Sequence, residues 1–325
     1  MKAAIVTRYG PPEVVQIREV ARPGVKPGQV IVRQHATTVS TGDSRIRSAK
    51  MPPGFGLVLR LAFGLRGPRQ PILGICIAGD VAEVGPGVTS LSVGDRVLGT
   101  TGMAMRAHAE FVAVRADRLI PLPEGLSMAE AAALPFGALT ALYFLRHRAK
   151  VTAQDKVLVI GASGAVGAAA VQLACHFGAI VTGVCSAANA DLVRGLGAAQ
   201  VIDYNKQDFR SMGQRYDVIV DCIGAATAQN CRDALVPGGR LCLVVGSLGS
   251  LLTAGWSGRR HGIKVIAGVG GESPEDLRLL AGLAAQGALR PVIGATFAFA
   301  RIAEAHALAE SGHKRGSVVL RIGAE

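Results

Sequence analysis

The chain has 325 residues, of which 50% are hydrophobic and only 4% aromatic, so we expect a core of Ala, Val, Leu, Ile and Gly divided between two domains. We expect no export signal and no membrane span, because no secretory apolar block and no apolar run near ~18 residues occur, and this favours the cytoplasm. The net charge is +12, yet no aromatic platform accompanies the basic residues, which disfavours a nucleic-acid partner.

The first part of the chain, residues 1–123, has the pattern of a β-rich domain. An apolar and basic segment, 52–71, interrupts it, and we interpret this segment as a helix or flap over a cleft. An interfacial membrane helix is the alternative, which the glycines of the segment disfavour. β-branched runs between Gly- and Pro-containing turns predict strands over 3–7, 14–20, 29–35, 77–84, 96–98 and 110–114.

A helix is predicted over 126–149, before the chain reaches its strongest motif. Ser127 and Glu130 have the spacing of a capping box, in which each residue satisfies a backbone N–H of the other. Pro135 lies inside this helix and is expected to kink it.

The stretch from Val157 to Ala174, VLVIGASGAVGAAAVQLA, carries the clearest functional signal. Its first four residues suit a strand buried on both faces, and its Ala-rich end suits a helix. Gly161, Gly164 and Gly167 lie between them. A strand, a glycine turn and a helix together offer backbone N–H groups and a positive helix end to a pyrophosphate, where a Cβ would block its approach. A tight turn without a ligand is the alternative.

Strands and helices alternate after this turn, which predicts an α/β domain with a doubly wound parallel sheet of about six strands. A helix from Ser273 and a final helix and strand follow, and we expect the final pair to pack on the N-terminal domain because the sheet is already complete. The predicted domains are 1–123, 124–271 and 272–325. Further strands of the sheet are predicted at 180–184, 201–202, 217–220, 240–245 and 264–267.

Several of these segments together resemble the medium-chain dehydrogenase/reductase superfamily, in its zinc-free quinone-oxidoreductase-like branch. GQVIVRQHATTVSTGDSRIRS resembles an N-terminal segment of that branch, with Ser40 where Asn is usual and with Asp43 and Arg47 retained. AAALPFGALTAL resembles the helix beside the nicotinamide, with Thr140 in place, and GASGAVG resembles the phosphate loop. The resemblance implies a β-rich GroES-like catalytic domain joined to a Rossmann domain.

The resemblance also implies a cofactor site and a small catalytic set. We expect Ser40, Asp43 and Thr140 to be catalytic. Cofactor contacts are expected from Gly161, Ser163, Gly164, Ala165, Val166, Gly167, Ser186, Asn189, Tyr204, Gly246 and Arg315.

No catalytic zinc is expected, because the ligands that zinc-using relatives need are replaced. Those relatives have Cys where Ser40 or Thr41 stands and a His-Glu pair after Gly74, where Ile75 and Cys76 occur. The six cysteines are scattered without CxxC spacing, and the seven histidines form no HxH or HxxxH pair. Cys76 is therefore interpreted as a packed core residue.

Without a metal, the substrate oxygen needs a hydrogen-bond donor as hydride arrives. Ser40 and Thr41 are the candidates, although such residues more often cap turns. The chain has four tyrosines and none lies in the segments where enoyl-thioester reductases of the superfamily carry a proton-donating tyrosine. Protonation by solvent is the alternative.

NADP(H) is predicted as the cofactor. The position about 20 residues after the glycines, where NAD-binding proteins carry an acidic residue, is Ser186, and Asp191 lies further on in the next helix. The Lys or Arg that NADP-using relatives often carry at 187–189 is absent here. Lys314 and Arg315 are the candidates for a 2′-phosphate contact, with a solvated pair as the alternative.

The predicted function is a zinc-independent, NADPH-dependent oxidoreductase that transfers hydride to a quinone, enone or ketone. One alternative is an NAD(P)-dependent alcohol dehydrogenase or ketone reductase, and another is a non-catalytic nicotinamide-nucleotide-binding sensor or RNA-binding protein. The resemblance implies a homodimer joined through 264–267. Trp256 is predicted on a loop that lines the substrate pocket with the 52–71 segment, or else half-buried beneath a surface loop.

Overall fold

Two large β-sheets organise the chain, as seen in a computed structural model that describes residues 1–268 and 270–323. The N-terminal part contains a short hairpin of β1 and β2, most strands of one large sheet, and two helices on its connections. Its elements are β1 (Lys2–Ile5), β2 (Gln16–Glu19), β3 (Gln29–Val39), α1 (Thr41–Ser48), α2 (Gly56–Phe63), β4 (Cys76–Val84), β5 (Arg96–Thr100), β6 (Phe111–Arg115) and β7 (Leu119–Pro121).

The second sheet lies in the middle of the chain, and all its strand pairs are parallel. Its strands run in the order β10-β9-β8-β11-β12-β13, which confirms the predicted doubly wound α/β sheet. The elements are α3 (Met128–Leu142), β8 (Lys156–Ile160), α4 (Ala165–His176), β9 (Ile180–Cys185), α5 (Ala190–Gly195), β10 (Gln200–Asp203), β11 (Tyr216–Asp221), α6 (Ala228–Cys231), β12 (Leu235–Leu243), α7 (Leu248–Arg260) and β13 (Lys264–Ala267).

The C-terminal segment returns to the first sheet. β15 pairs antiparallel with β3, and β14 pairs parallel with β15, so the large sheet has the order β14-β15-β3-β4-β5-β7. β6 pairs with the first part of β3, on the edge that β15 occupies further along. The pairing of the last strand agrees with the expectation for the tail, whereas the three domain boundaries stay a prediction. The elements are α8 (Pro274–Ala285), β14 (Ile293–Ala298), α9 (Ile302–Glu310) and β15 (Ser317–Arg321).

The helix α3 joins the two sheets. It begins at the predicted capping box, where the Ser127 hydroxyl accepts the N–H of Glu130, and it continues through Pro135 into a π-helical turn at Tyr143–Ala149. Within the described residues, 128–149 is the one helical stretch with the length and hydropathy of a membrane span, but 67% of its most apolar window is buried inside the protein. That burial is typical of a core helix.

Two local features differ from the sequence predictions. The run predicted as a strand at 14–20 starts with a 3₁₀ turn at Pro12–Val14, and only Gln16–Glu19 is extended. The strand β14 was not predicted, although its side chains alternate between half-buried and exposed along IGATFA. Its strand state depends on pairing with β15, a partner about 20 residues away that local sequence does not reveal.

Candidate functional site

The glycine turn after β8 contains two glycines that the backbone geometry requires, Gly161 and Gly167, and a third, Gly164, that it does not. Gly161 has a φ of +79°, and a Cβ on Gly167 would lie 2.1 Å from the carbonyl oxygen of Gly161. A Cβ on Gly164 would meet only that same oxygen, at an ordinary 3.5 Å. The missing side chain of Gly164 therefore leaves open space at the start of α4. The turn therefore has room for a bound group, and its role as a phosphate loop stays a prediction.

The open space lies against the N-terminus of α4. Gly164 is the N-cap residue and has no side chain that could satisfy the first N–H groups of the helix. Ala165 and Val166 open the helix, and N–H groups at these positions have no partner within a helix. Free N–H groups and the positive end of the helix dipole form an anion site, as the pyrophosphate prediction requires.

A hydrogen-bonded network joins four of the predicted cofactor residues beyond the end of β9. The amide nitrogen of Asn189 donates to the hydroxyls of Ser163, at 3.1 Å, and Ser186, at 3.3 Å. The guanidinium of Arg315 donates from Nε to Asn189 Oδ1 at 2.9 Å and from a terminal nitrogen to the Ala188 carbonyl at 3.0 Å. The tail of the chain thus brings an exposed positive charge to the site predicted for the adenosine ribose.

No carboxylate opposes that charge within residues 186–190. Asp191 lies in the first turn of α5 and forms an ion pair with Arg194 at 2.8 Å in full contact with solvent. Tyr204 follows β10, and its N–H donates to the carbonyl of Cys185 at 3.2 Å, which keeps its exposed ring beside the same edge. Arg315 is thus the exposed charge that a ligand group at this end of the site would meet.

Lys314 differs from its neighbour Arg315. Its ammonium donates to the carbonyl of Gly316 at 3.1 Å, and burial lowers the pKa of Lys314 to about 8. The N–H of Gly316 in turn donates to the carbonyl of Ser163 at 2.8 Å. Lys314 is thus directed toward the backbone beside the glycine turn, whereas Arg315 belongs to the network with Asn189.

The turn after β11 also borders the site, and sequence reasoning missed it. Asp221 is fully buried, and its carboxylate accepts the N–H groups of Ile223, Gly224 and Ala226 at 2.7–3.0 Å. A Cβ on Gly161 would lie 2.5 Å from Ile223, so this turn rests on the glycine turn. The only signal in the sequence was an acidic residue at the end of a predicted strand. Gly246 lies beyond the end of β12, on the same edge of the sheet.

The other end of the cleft lies where α3 meets Gly270. The Thr140 hydroxyl donates to the carbonyl of Phe136 at 2.8 Å, and a Cβ on Gly270 would be 3.4 Å from the Thr140 Cα. Glu272, also missed in the sequence, accepts from the Thr100 hydroxyl at 2.7 Å and from Arg118 at 2.9 Å. It therefore ties the nucleotide-binding part of the chain to the first sheet. A cavity of about 290 Å³ opens beside this link.

The hydroxyl of Ser40 is already engaged within the protein. It donates to Asp43 Oδ2 at 2.6 Å and accepts the N–H of Asp43 at 3.1 Å, which makes a buried capping box at the start of α1. The second carboxylate oxygen of Asp43 accepts the N–H of Gly74 at 3.0 Å. Ser40 and Asp43 thus hold α1 against the turn before β4. Their catalytic role stays a prediction, as does that of Thr140.

Arg47, which the resemblance also singled out, has a structural role. Its side chain is fully buried, pairs with Glu310 of α9 and donates to the carbonyl of Gly10. The buried guanidinium thereby links α1 to the C-terminal helix of the same lobe.

The residues at the zinc position do not fit that metal. Ile75 and Cys76 follow Gly74, and the Cys76 side chain is fully buried with its thiol pKa raised to about 12 by burial. Zinc binds the thiolate, which this burial disfavours. Across residues 1–268 and 270–323, no cluster of three His, Cys, Asp or Glu side chains could hold a metal ion.

The predicted loop around Trp256 is wrong, because this residue lies in α7. The Ser247 side chain caps the helix by accepting the N–H of Ser250 at 3.0 Å, which stabilises a glycine-rich sequence in helical form. The Trp256 side chain is 65% exposed, so it faces solvent and not an enclosed pocket. The 52–71 segment does meet this region, since the N–H of Leu248 donates to the carbonyl of Pro53 at 3.1 Å.

Comparisons with known proteins agree with this geometry. The Alcohol dehydrogenase GroES-like domain family matches residues 26–124, and the Zinc-binding dehydrogenase family matches residues 196–320. A quinone oxidoreductase from Sus scrofa is 33% identical over 337 residues, which cover 98% of this chain and 95% of that protein.

Solved structures show the same architecture. The quinone oxidoreductase from Coxiella burnetii superposes with a TM-score of 0.88 at 28% identity, over 99% of both chains. A mycobacterial protein solved in complex with NADPH superposes with a TM-score of 0.82 at 26% identity, over 99% of this chain and all of that one.

Proposed function

The chain belongs to the medium-chain dehydrogenase/reductase superfamily, in its quinone-oxidoreductase-like branch, and on this premise we propose that it is a zinc-independent reductase of quinones or enones that prefers NADPH. The broader activity is that of an oxidoreductase with a nicotinamide cofactor, as in the relatives. The preference for NADPH, the substrate class and the independence from zinc are the parts that we propose here.

One observation supports the NADPH preference most directly. Arg315 is held over the end of β9 by two hydrogen bonds, to Asn189 and to the Ala188 carbonyl, so its charge is positioned before any ligand binds. A guanidinium recognises a phosphate through several N–H groups, and the adenosine 2′-phosphate is what distinguishes NADPH from NADH. The hydroxyls of Ser163 and Ser186 lie within the same network and can donate to the phosphate.

The residues of the chain hold and orient the reactants, while the bound cofactor supplies the hydride. The N–H groups of Ala165 and Val166 would hold the pyrophosphate of the bound cofactor at the start of α4. Thr140 and Gly270 would border the nicotinamide end, and the Glu272 link joins the two parts of the chain across the cleft. A quinone that gains this hydride also needs a proton, which solvent supplies because the Ser40 proton is engaged with Asp43.

The proposed independence from zinc rests on the replaced ligand positions, since Ile75 cannot ligate a metal and Cys76 is buried as a thiol. We expect metal analysis of the purified protein to give well under one zinc per chain, and a chelator to leave turnover unchanged. One zinc per chain together with activity lost to the chelator would overturn this part of the proposal.

The decisive experiment compares NADPH with NADH in the wild type, in Arg315→Ala and in Arg194→Ala. We expect the kcat/KM ratio of NADPH to NADH to fall about 10- to 100-fold in Arg315→Ala, the size of effect expected for charged hydrogen bonds of about 1.5–3 kcal/mol. Arg194→Ala removes a nearby exposed arginine that pairs with Asp191, and it should leave the ratio unchanged. Equal ratios in all three proteins would contradict the assignment of Arg315.

A substrate panel separates the proposed chemistry from its alternative. Quinones and α,β-unsaturated ketones should support NADPH oxidation, whereas saturated ketones should be poor substrates. Preferred oxidation of an alcohol with NAD⁺ would instead favour an alcohol dehydrogenase. The implied homodimer through the edge strand β13 is tested separately by the mass of the protein in solution.

A further inference from the structure

Two helices next to the cleft carry apolar side chains on their solvent side. Leu57 and Leu61 lie in α2, and Leu65 lies two residues after its end. The three leucines are spaced four residues apart and are 69%, 59% and 65% exposed. Four-residue spacing places Leu57 and Leu61 on one face of α2, so they form a stripe, and Leu65 is a further exposed leucine just beyond the end of the helix.

A matching stripe lies on α7. Leu252 is 78% exposed, and Trp256 follows four residues later with the Arg260 guanidinium 5.4 Å from its ring. The other side of α7 packs on the sheet, because a Cβ on Gly258 would lie 2.7 Å from the carbonyl oxygen of Ile263. The chain therefore covers one side of α7 and leaves the apolar side open.

The two stripes come close together where α7 begins, beside the residues that precede α2. The N–H of Leu248, the first residue of α7, donates to the carbonyl of Pro53 at 3.1 Å, just before α2. A Cβ on Gly54 would lie 2.8 Å from the Leu248 Cβ. We call the exposed side chains of Leu57, Leu61, Leu65, Leu252 and Trp256 the α2–α7 surface.

The two chain segments that carry this surface have charges of one sign. Residues 44–79 contain six Lys or Arg and no Asp or Glu, and residues 234–271 contain four and none. Arg47 and Arg240 are turned inward to other partners, but Arg60, Arg259 and Arg260 are exposed beside the apolar stripes. Exposed leucines and a tryptophan with arginines at their edge are the composition that binds the interface of an anionic membrane.

We propose that the α2–α7 surface docks the protein on an anionic lipid bilayer. The leucines and Trp256 enter the headgroup region, and the flanking arginines pair with lipid phosphates. A second copy of the chain fits this surface less well, since a symmetric contact would set arginine against arginine. The proposal is independent of the proposed enzymatic function, because it concerns side chains outside the cofactor site.

Sedimentation with vesicles tests the docking with the full-length protein. We expect at least tenfold tighter binding to vesicles containing roughly one third phosphatidylglycerol than to phosphatidylcholine alone, and release at high salt, which screens surface charges. Trp256 is the only tryptophan, so a blue shift of its emission on the anionic vesicles reports insertion at this surface. Equal binding to both vesicle types, or no shift, would overturn the proposal.

Variants locate the contact. Leu61→Ser and Leu252→Ser should each weaken vesicle binding about tenfold, and Arg60→Gln about fivefold, the effect of one arginine near a charged membrane. Val93→Ser is the matched control, because Val93 is 67% exposed on the loop between β4 and β5, outside the α2–α7 surface. Turnover of a water-soluble quinone by Leu252→Ser should equal that of the wild type and so verify the fold.

Two outcomes would contradict the proposal at this stage. One is that Val93→Ser weakens vesicle binding as much as Leu252→Ser. The other is that the Trp256 emission shifts with protein concentration in the absence of vesicles, and that Leu252→Ser lowers the mass of the protein in solution. This result would assign the surface to a contact between copies of the chain.

Discussion

The carboxyl edge of the nucleotide-binding sheet and the lobe around Ser40 use polar groups in opposite ways. At the sheet edge, the open space beside Gly164 and the start of α4 leave N–H groups available, and Arg315 holds its charge toward solvent. In the other lobe, Ser40, Asp43 and Arg47 are buried and bonded to one another or to backbone. The first region leaves polar groups available to a ligand, whereas the second uses its polar groups in internal hydrogen bonds.

This contrast between the two regions bears on how to interpret polar residues that a family resemblance singles out. A residue can recur at a position because it contacts a ligand or because it supports the backbone that does. The two cases are told apart by the number of hydrogen-bonding groups left without a protein partner. Substitutions at individual positions test this distinction.

The glycine turn gives the largest contrast. Gly167→Ala should destabilise the fold by about 3 kcal/mol, because its Cβ would collide with the Gly161 carbonyl at 2.1 Å and backbone would have to move. Gly164→Val should leave the free energy of unfolding within about 1 kcal/mol of wild type but weaken NADPH binding at least about 100-fold, because the side chain fills the space of the pyrophosphate. Urea unfolding and fluorescence titration measure the two effects.

The comparison between these two glycines would fail in either of two ways. Unchanged NADPH affinity in Gly164→Val would mean that the turn is purely structural. Unfolding of Gly164→Val without ligand would mean that the space beside the turn is needed by the protein itself.

The buried His306 should make the N-terminal lobe sensitive to acid. Burial, together with the nearby His108 and Arg47, holds the pKa of His306 well below its usual value, so the folded protein keeps this ring neutral. The unfolded chain takes up the proton first, and the stabilisation present above pH 6.5 is lost as the pH falls below it, by about 1.4 kcal/mol per pH unit. Urea unfolding from pH 7.5 to 5.5 should show this slope in the wild type and a shallower slope in His306→Gln. Identical slopes would remove His306 as its cause.

A comparison of the capping boxes at Ser40 and Ser127 distinguishes a structural from a catalytic role for Ser40. Ser40→Ala and Ser127→Ala each remove a cap and should each cost about 1 kcal/mol in the free energy of unfolding. The box at Ser127 starts α3 on the exposed surface and is the matched control. If Ser40 only holds α1, kcat should be nearly the same in both variants. A kcat loss above about tenfold in Ser40→Ala alone would instead assign its hydroxyl to the substrate.

Cys76 should give the smallest effect. With the pKa of its thiol raised to about 12 and its side chain buried, it should resist alkylation in the folded protein at neutral pH. Cys76→Ala should cost about 1 kcal/mol of stability through lost packing and leave kcat/KM unchanged. Mass spectrometry after alkylation and steady-state kinetics measure these outcomes. Rapid labelling of Cys76, or loss of activity on its replacement, would place this residue in the site.

Features that depend on neighbouring residues could be predicted from the sequence alone. A buried apolar run followed by spaced glycines and an Ala-rich helix predicts a strand, a phosphate turn and a helix, and the parallel sheet around it followed from repeated strand–helix alternation. The capping box at Ser127 was readable for the same reason, since its partners are three residues apart.

Only the tertiary structure decided the features that depend on distant partners. Arg315 reaches Asn189 across 126 residues, Glu272 reaches Thr100 across 172, and the strand β14 exists because β15 pairs with it. The sequence also could not predict whether the Ser40 hydroxyl is hydrogen-bonded within the protein, because this depends on where the buried Asp43 carboxylate points. Local patterns fix how each segment folds, whereas the availability of a polar group for chemistry is set by which neighbours the whole chain brings to it.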